Sequence, residues 1–579
     1  VTSRRMAGRL GSTFAPGLAT LFSYEARWLP KDVVAGLVLT ALLVPQGMAY
    51  AELAGLPAIT GLYTSILCLL GYALFGPSRI LVLGPDSALG PMIAATVLPL
   101  VGANGDPARA VALASALALM TGTITVLAGI GKLGFVADLI SKPTMIGYMN
   151  GLALTILVGQ LPKIFGFSVD AESFLGEIAA FVGGVSGGEM VPAALAIGAG
   201  GLILILVLQR VAPRIPGVLV VVVLSITAAG VFGLAARGVA LVGVLPQGFP
   251  PLTVPHVALS DIALLVGGAF GIALVSLADT ISTSTAFAAR AGRTVDGNRE
   301  MTGIGVANIA AGLFQGFPVS TSGSRTAVAE QAGAKTQVTG LVGAGAITLI
   351  LLLAPGLLRN LPQPTLAAVV IAASLSLSDI PGTLRLFRLR RTEFYLSIAA
   401  FAGVVAFGVL LGILVAVALS IGNVFRRAWW PYQATLGRVP GIAGYHDISS
   451  YPHAEQLTGC RIFRFDAPVF FANARTFREQ LTGIARSDPH PKWIIVAAEP
   501  ITDVDVTAAD MLRDLDGTLD AGGTTLVFAE MKDPVRRKLD RYGLIPAIGP
   551  SHFFPTLDDA VEAFRRDTGA EWVSPPQGS

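Results

Sequence analysis

The chain has 579 residues, 53% of them hydrophobic and only 13% charged, with a net charge of +3. A soluble domain carries roughly 25% charged residues, so most of this chain is expected in a bilayer; the basic residues sit in loops between apolar runs, which gives nucleic-acid binding no support. Two cysteines, Cys68 in an apolar span and Cys460 in a polar tail, predict neither a disulfide nor a metal cluster.

Residues 1–30 read as a cytoplasmic arm carrying Arg4, Arg5 and Arg9, with an interfacial helix near Phe22–Leu29. The first long apolar run starts only after Lys31-Asp32, and no small-residue cleavage site lies nearby, so no removable signal peptide is predicted. The first span begins near Val33 and runs into PQGMAYAELAGLP (45–57). Pro45 removes a backbone hydrogen bond and favours a kink. Gln46 and Tyr50, four apart, then share one helix face. A second span covers about Ala58–Phe75. RILVLGPDSALGPMIAATVLPL (79–100) follows: an extended apolar stretch, a Gly-Pro break, then a short helix starting at Asp86-Ser87. Further spans are expected near Ala110–Ile130, Phe135–Met149, Gly151–Phe165, Val191–Leu208 and Val218–Leu234.

A second half starts near Ile262. Its first span holds GIALVSLADTISTSTAFAA (271–289), with Asp279 and Thr283 four apart. Ile304–Phe314 comes next, then FPVSTSGSRTAVAEQ (317–331), Val338–Leu353, Thr365–Leu377 and a long apolar region from Phe394 to Val424 that divides near Phe407–Gly412. In 317–331 a non-helical start (Pro318, Ser320, Thr321, Ser322, Gly323, Ser324) opens into a short helix carrying Arg325. Irregular backbone at membrane depth is tolerated only where it is buried in protein or lines a cavity. A broken helix whose start faces a cavity offers free N–H groups and a positive dipole end to an anion, and Arg325 adds a fixed charge.

The halves echo each other. In each, the third hydrophobic element is short, interrupted and polar at its start, Gly84–Ser87 in one and Ser320–Arg325 in the other. Such paired segments point to a midplane binding site between inverted repeats. The expected fold is a polytopic helical membrane protein of about fourteen spans, seven per repeat at about 20 residues each, with repeats over 31–250 and 251–428 and a cytoplasmic α/β domain over 433–579. With the N-terminus inside, the inner loops carry Arg79, Lys132, Lys142, Arg210, Arg214, Arg290, Arg293, Arg299, Lys335, Arg385, Arg388, Arg390 and Arg391. The outer loops carry only Arg109, Lys163, Arg237 and Arg359, and the loop from Phe167 to Glu189 has Asp170, Glu172 and Glu177 but no basic residue. That asymmetry follows the positive-inside rule.

After Arg426 strand and helix patterns alternate. CRIFRFD (460–466), WIIVAAE (493–499) and TTLVFAE (524–530) read as strands; Ala472–Arg486, Ala508–Leu519, Pro534–Tyr542 and Leu557–Arg566 read as helices.

PQGMAYAELAGLPAITGLY (45–63) resembles the signature of the SulP family of anion transporters, and VANIAAGLFQGFPVSTSGSRTAVAEQAGAKTQVTG (306–340) is similar to the family's ninth to eleventh spans. The tail resembles a STAS domain. The resemblance covers nearly the whole chain. It implies core and gate domains built from two intertwined seven-span repeats, a homodimer, and an anion held between the facing starts of the third and tenth helices. Carried over by position, Gln46, Tyr50, Asp86, Ser87, Ala88, Ser322, Gly323, Ser324 and Arg325 line the site. The eighth helix of relatives often carries an acid used for proton or sodium coupling, and Asp279 holds that place here, with Thr283 one turn on.

Structural roles compete with these. Arg325 can pair internally, with Asp279 as its expected partner or with a bound anion. Gln46 and Tyr50 can pack between helices. Glu330 suits a structural or interfacial acid, and Glu52 receives no specific role. Asp86 departs from the family pattern, in which many members have an apolar or neutral residue. Asp is a preferred helix cap, but a carboxylate beside the substrate repels an anion unless protonated, which ties anion binding to proton binding. In ITDVDVTAADML (501–512), Thr507 falls at a strand–helix junction where related bacterial STAS domains carry a phosphorylatable residue, and a capping threonine is the competing reading. His446, His453, His490 and His552 have no metal spacing, and no phosphate-binding glycine loop or serine-hydrolase motif is present, so enzyme chemistry has no support.

The sequence therefore predicts proton-coupled symport of sulfate across the plasma membrane, with no bound cofactor. Sodium-coupled bicarbonate transport, C4-dicarboxylate transport, exchange or uniport are the alternatives, and a non-transporting sensor that signals through a regulatory protein on the STAS domain is the remote one.

Overall fold

The computed structural model describes residues 15–102, 105–134, 140–169, 171, 173–212 and 215–574. Arg4, Arg5, Arg9, Asp170, Glu172 and Arg214 lie outside the described residues. The chain forms two compact units, Val1–Ser420 and Ile421–Ser579.

In the first unit a short helix, Pro16–Phe22, precedes the spans. The first half then runs α1 (Leu29–Leu53), α2 (Ala58–Phe75), β1 (Leu83–Gly84), α3 (Gly90–Val101), α4 (Pro107–Ile130), α5 (Lys142–Phe165), α6 (Phe174–Ser186), α7 (Pro192–Val211) and α8 (Gly217–Phe232). The second half runs α9 (Leu259–Arg290), α10 (Gly297–Leu313), β2 (Ser320–Thr321), α11 (Gly323–Gln331), α12 (Val338–Leu353), α13 (Gln363–Leu377), α14 (Ile380–Leu389) and α15 (Arg391–Trp429). Each half has a two-residue strand and a short helix as its third element. α15 is two spans, broken at Gly408, whose φ of 80° suits a residue without a side chain.

Two expectations are corrected. The predicted spans Phe135–Met149 and Gly151–Phe165 are not separate: residues 142–149 and 151–165 share one helix, α5, while 135–139 lie outside the described residues. Gly151 does not break it; it lets α15 approach, because a Cβ there would meet Val404 and the Phe401 carbonyl. The acidic loop from Phe167 to Glu189 holds the helix α6, capped by the Ser173 hydroxyl on Gly176 N–H.

The helices gather into two bundles. α10 packs on α4 and α2, α12 on α1 and α2, and α9 on α4, which makes the core. α13 packs on α5 and α7, and α8 on α7, which makes the gate. Small residues set the spacing: Gly47 of α1 faces Gly61 of α2, and a Cβ on Gly61 would overlap the Gly47 carbonyl. Buried polar groups tie loops to helices. Asp32 is fully buried and accepts from Lys335 N–H at 2.6 Å, Thr336 N–H at 3.1 Å, the Thr336 hydroxyl at 2.7 Å and the Thr339 hydroxyl at 3.1 Å. Glu300 accepts from the Tyr72 hydroxyl at 2.6 Å and from Ser78. The Gln337 amide donates to the carbonyls of Ser78 and Leu81, both at 2.9 Å. Together they fix the approach to β1.

The second unit is a six-stranded sheet in the order β4-β3-β6-β7-β8-β9. Its strands are β3 (Gln433–Arg438), β4 (Tyr445–Asp447), β6 (Cys460–Phe465), β7 (Trp493–Ala497), β8 (Thr525–Ala529) and β9 (Phe553–Phe554); β5 (Gln456–Leu457) pairs apart with β10 (Trp572–Val573). β6 to β9 are parallel, as crossover helices require. The helices are α16 (Ala474–Ala485), α17 (Val506–Ala521), α18 (Asp533–Arg541), α19 (Leu544–Ile548) and α20 (Leu557–Thr568). One sheet face buries Phe463, Phe465 and Phe528 with α16 and α17; the other buries Ile462, Ile495 and Val527 under Phe564 of α20.

Candidate functional site

The two interrupted segments meet. β1 pairs antiparallel with β2, Leu83 opposite Thr321 and Gly84 opposite Ser320. Two flanking bonds complete the crossing: Ser322 N–H donates to the Val82 carbonyl at 3.1 Å, and Val82 N–H donates to the Thr326 hydroxyl at 3.0 Å. Helices hold β2 from outside. Asn308 of α10 accepts from Val319 N–H at 2.9 Å, and Ser276 of α9 donates to the Val319 carbonyl at 3.0 Å. The strand pair therefore places the Gly84–Asp86 segment that leads into α3 beside the start of α11.

Arg325 lies at that junction and is 1% exposed. Its Nη1 donates to the Pro85 carbonyl at 2.6 Å, while Nε and Nη2 have no hydrogen-bond partner. Burying guanidinium N–H groups without acceptors is costly, so these two donors suit an anion. Its counter-charge is Asp86, with Oδ2 at 3.9 Å from Nη2, rather than the expected Asp279. At that separation the pair is electrostatic and leaves Nη2 free to donate. Asp86 also closes a turn ahead of α3, accepting from Ala88 N–H at 2.9 Å; the helix itself begins at Gly90 after Leu89, not at Asp86-Ser87 as expected, so Asp86 does not cap it.

Free main-chain donors lie in the two segments that meet at Arg325. Among the described residues the N–H groups of Gly323 and Ser324 make no hydrogen bond, as expected for the first turn of a helix, and neither does that of Ser87 in the turn before α3. Ser322 caps α11 through Arg325 N–H, and its hydroxyl lies 3.1 Å from that of Ser324, which is exposed. Ser87 and Ala88 are buried. The Tyr50 hydroxyl faces Ser87 and lies within electrostatic reach of Asp86 and Arg325. Gln46, one turn earlier on α1, is half-buried and makes no hydrogen bond among the described residues.

Asp279 of α9 approaches from the other side. Its Oδ2 accepts from the hydroxyls of Ser320 at 3.2 Å and Thr321 at 3.3 Å, and it lies within electrostatic reach of both Asp86 and Arg325. Thr283 is not its hydrogen-bond partner; it stands beside Gly323, where an added Cβ would lie 3.9 Å from it. Glu330 pairs with Arg290 at 3.5 Å, away from this junction.

Sequence reasoning missed the supporting shell. The Pro85 carbonyl, Ser276, Asn308 and Thr326 bind, hold or brace the junction. Asn308 was the most visible of them, an amide inside an apolar helix run. In the second unit the cap of α17 is Asp505, which accepts from Ala508 N–H at 2.8 Å, and not Thr507, which is exposed at the second helical position.

A two-bundle membrane fold whose short helices begin around a buried guanidinium is that of a secondary transporter for anions. Residues 29–400 match the Sulfate permease family, and residues 451–560 match the STAS domain. The chain is 43% identical over 554 residues to the "Probable sulfate transporter Rv1739c" of Mycobacterium tuberculosis, covering 96% of this chain and 98% of that one. It is 29% identical over 571 residues to "High affinity sulfate transporter 2" of Stylosanthes hamata (94% and 86% covered). It is 33% identical over 511 residues to human "Solute carrier family 26 member 6" (83% and 66% covered). Among solved structures, SLC26A9 superposes with a TM-score of 0.89 at 23% identity, covering 98% of this chain and 95% of that one, which shows the shared fold. The chain belongs to the sulfate permease (SulP) family of membrane anion transporters.

Proposed function

We propose that this chain is a proton-coupled sulfate symporter of the plasma membrane, working by alternating access. The observation that carries the reading is the buried Arg325 with two unpartnered donors, set among three free main-chain N–H groups and two carboxylates. A divalent oxyanion matches the donors. It does not match Asp86 and Asp279 in their charged forms, because like charges repel strongly at low dielectric. Protonating those acids removes the conflict, so the anion and the proton enter together. Sulfate is favoured over other oxyanions by the names of relatives that span nearly the whole chain.

The core bundle carries the site and moves against the gate bundle. The N-terminus and the STAS domain face the cytoplasm, in line with the basic inner loops. The working form is a homodimer, and the exposed Thr507 is a regulatory phosphorylation point recognised by a partner protein.

Uptake of labelled sulfate, bicarbonate and fumarate into proteoliposomes, with and without pH and sodium gradients, tests this. Accumulation of sulfate driven by an acid exterior is expected. Uptake indifferent to both gradients would reject symport in favour of a uniporter or exchanger. A sodium requirement would assign coupling to sodium beside Asp279 and Thr283, and no uptake of any anion would favour the non-transporting sensor.

A further inference from the structure

A cavity of about 740 Å³ lies away from Arg325, at the end of the membrane unit where α1 and α5 finish and α2 and α4 begin. Most of its wall is apolar, but it also presents Glu52, Lys163, Gln315 and Gln363. We infer that this cavity is a second anion site, an antechamber in which the Lys163 ammonium captures the oxyanion before it reaches Arg325. The inference rests on the anion-transport reading above.

Position is the first argument. Glu52 lines the cavity and Tyr50 lines the Arg325 site, two residues apart on α1. That is about 3 Å of helix rise. Residues two apart point to different faces of a helix, so the cavity and the buried site lie on different sides of the same stretch of α1. On the proposed orientation the cavity opens to the exterior, the side from which substrate arrives.

Bonding is the second. Lys163 carries three N–H donors, and among the described residues its ammonium donates only to the Glu52 carbonyl, at 3.5 Å, the long limit of a hydrogen bond. Among the described residues no carboxylate stands within ion-pair distance of it, although the Glu52 charge acts on it. The Gln363 side chain makes no hydrogen bond among the described residues and adds a free amide to the wall. An ammonium so weakly engaged is available to an oxyanion.

Chemistry is the third. A conducting path needs binding strong enough to gather the ion and weak enough to release it. A hydrated point charge on a flexible stem suits capture, whereas a rigid fork suits retention. Lys163 and Arg325 divide those tasks. Glu52 opposes Lys163 in sign and limits how tightly the anion is held. Lys163 belongs to the gate and Glu52 to the core, so the antechamber is taken apart as the bundles move.

A purely structural tie between Glu52 and Lys163 predicts that losing either partner has the same effect. The antechamber predicts opposite effects. In sulfate uptake by the full chain in proteoliposomes, Lys163→Gln should raise KM about tenfold, the loss of one charge-assisted hydrogen bond, with kcat nearly kept and a weaker dependence on ionic strength. Glu52→Gln should lower KM about threefold, a like-charge repulsion relieved. Lys163→Cys adds a test of charge alone, since the native Cys68 and Cys460 are buried. A cationic methanethiosulfonate should restore uptake, and an anionic one should depress it further. Equal effects of the two reagents, KM shifts of the same sign for the two substitutions, or an unchanged KM in Lys163→Gln would each overturn the proposal while leaving the transport reading intact. A wild-type chain that moves none of the three anions would overturn both.

Discussion

The Arg325 guanidinium makes one hydrogen bond and leaves two of its donor atoms unpaired. Lysine at that position can keep the charge and reach the Pro85 carbonyl, but it lacks the planar fork. Arg325→Lys should therefore weaken sulfate binding to the solubilised protein by roughly 10- to 100-fold, the range of one charged hydrogen bond, with the melting temperature held; an unchanged Kd would remove Arg325 from the site. Asp279 poses a different question, because an amide can still accept from Ser320 and Thr321 but cannot carry a proton. Asp279→Asn should bind sulfate and exchange it while failing to accumulate it against a gradient, and undiminished acid-driven accumulation would reject its coupling role. In the second unit, burial and then the nearby Asp520 push the Asp516 carboxyl up to about 6. Its value in the unfolded chain is about 3.9. The folded form thus holds the proton more tightly, and stability present below about pH 4 is lost as pH rises through about 6. Asp516→Asn should match wild type near pH 4 and become the more stable protein between pH 4 and 6, with a constant margin above; denaturation midpoints of the Ile421–Ser579 unit at several pH values measure this.

β1 and β2 are two residues each, and they decide where both short helices begin. Thr326 is fully buried, and its hydroxyl is the acceptor for Val82 N–H. Thr326→Val keeps the shape and strands that N–H, at a cost of about 1–3 kcal/mol. The variant should melt lower and bind sulfate less tightly, and Thr326→Ser should recover both; a valine variant with wild-type affinity would show that the crossing does not position the site. The interrupted segments themselves were readable from sequence because their signal is local: Gly84-Pro85 and the hydroxyl-rich 320–324 stand out inside apolar runs. Their pairing was not, since Leu83 and Thr321 meet across more than half of one repeat pair and carry no periodic pattern. The same holds for Asp32, which marked only the edge of the first span in the sequence yet gathers donors 303 and more residues away. The boundary expected between Met149 and Gly151 was wrong for the opposite reason: it was set locally, where Gly151 serves close packing inside one continuous helix.

The two compact units have separate cores: the membrane unit is built on its helices, the second on a sheet covered by helices on both faces. Every residue that touches the Arg325 junction, from Gln46 on α1 to Arg325 on α11, belongs to the first unit. Charge and hydrogen-bond geometry at the site are thus set without the sheet domain, and local interactions of this kind add independently of distant sites. Rate is a different property. On the alternating-access reading it depends on the gate bundle, against whose α5 the last membrane helix, α15, packs at Gly151 before running on across the boundary into the second unit at Ile421. Restraining that helix changes how readily the bundles exchange positions, and so changes turnover rather than affinity. A chain ended after Pro431 should therefore bind sulfate with a Kd within about twofold of the full protein, the additivity limit for separate sites, while its maximal uptake rate in proteoliposomes shifts. Equal rates with and without the sheet domain would make that domain irrelevant to turnover. A Kd weakened tenfold or more in a truncated chain that still melts cooperatively would mean that the site is shaped from outside the membrane unit, and the two-unit account of this transporter would have to be abandoned.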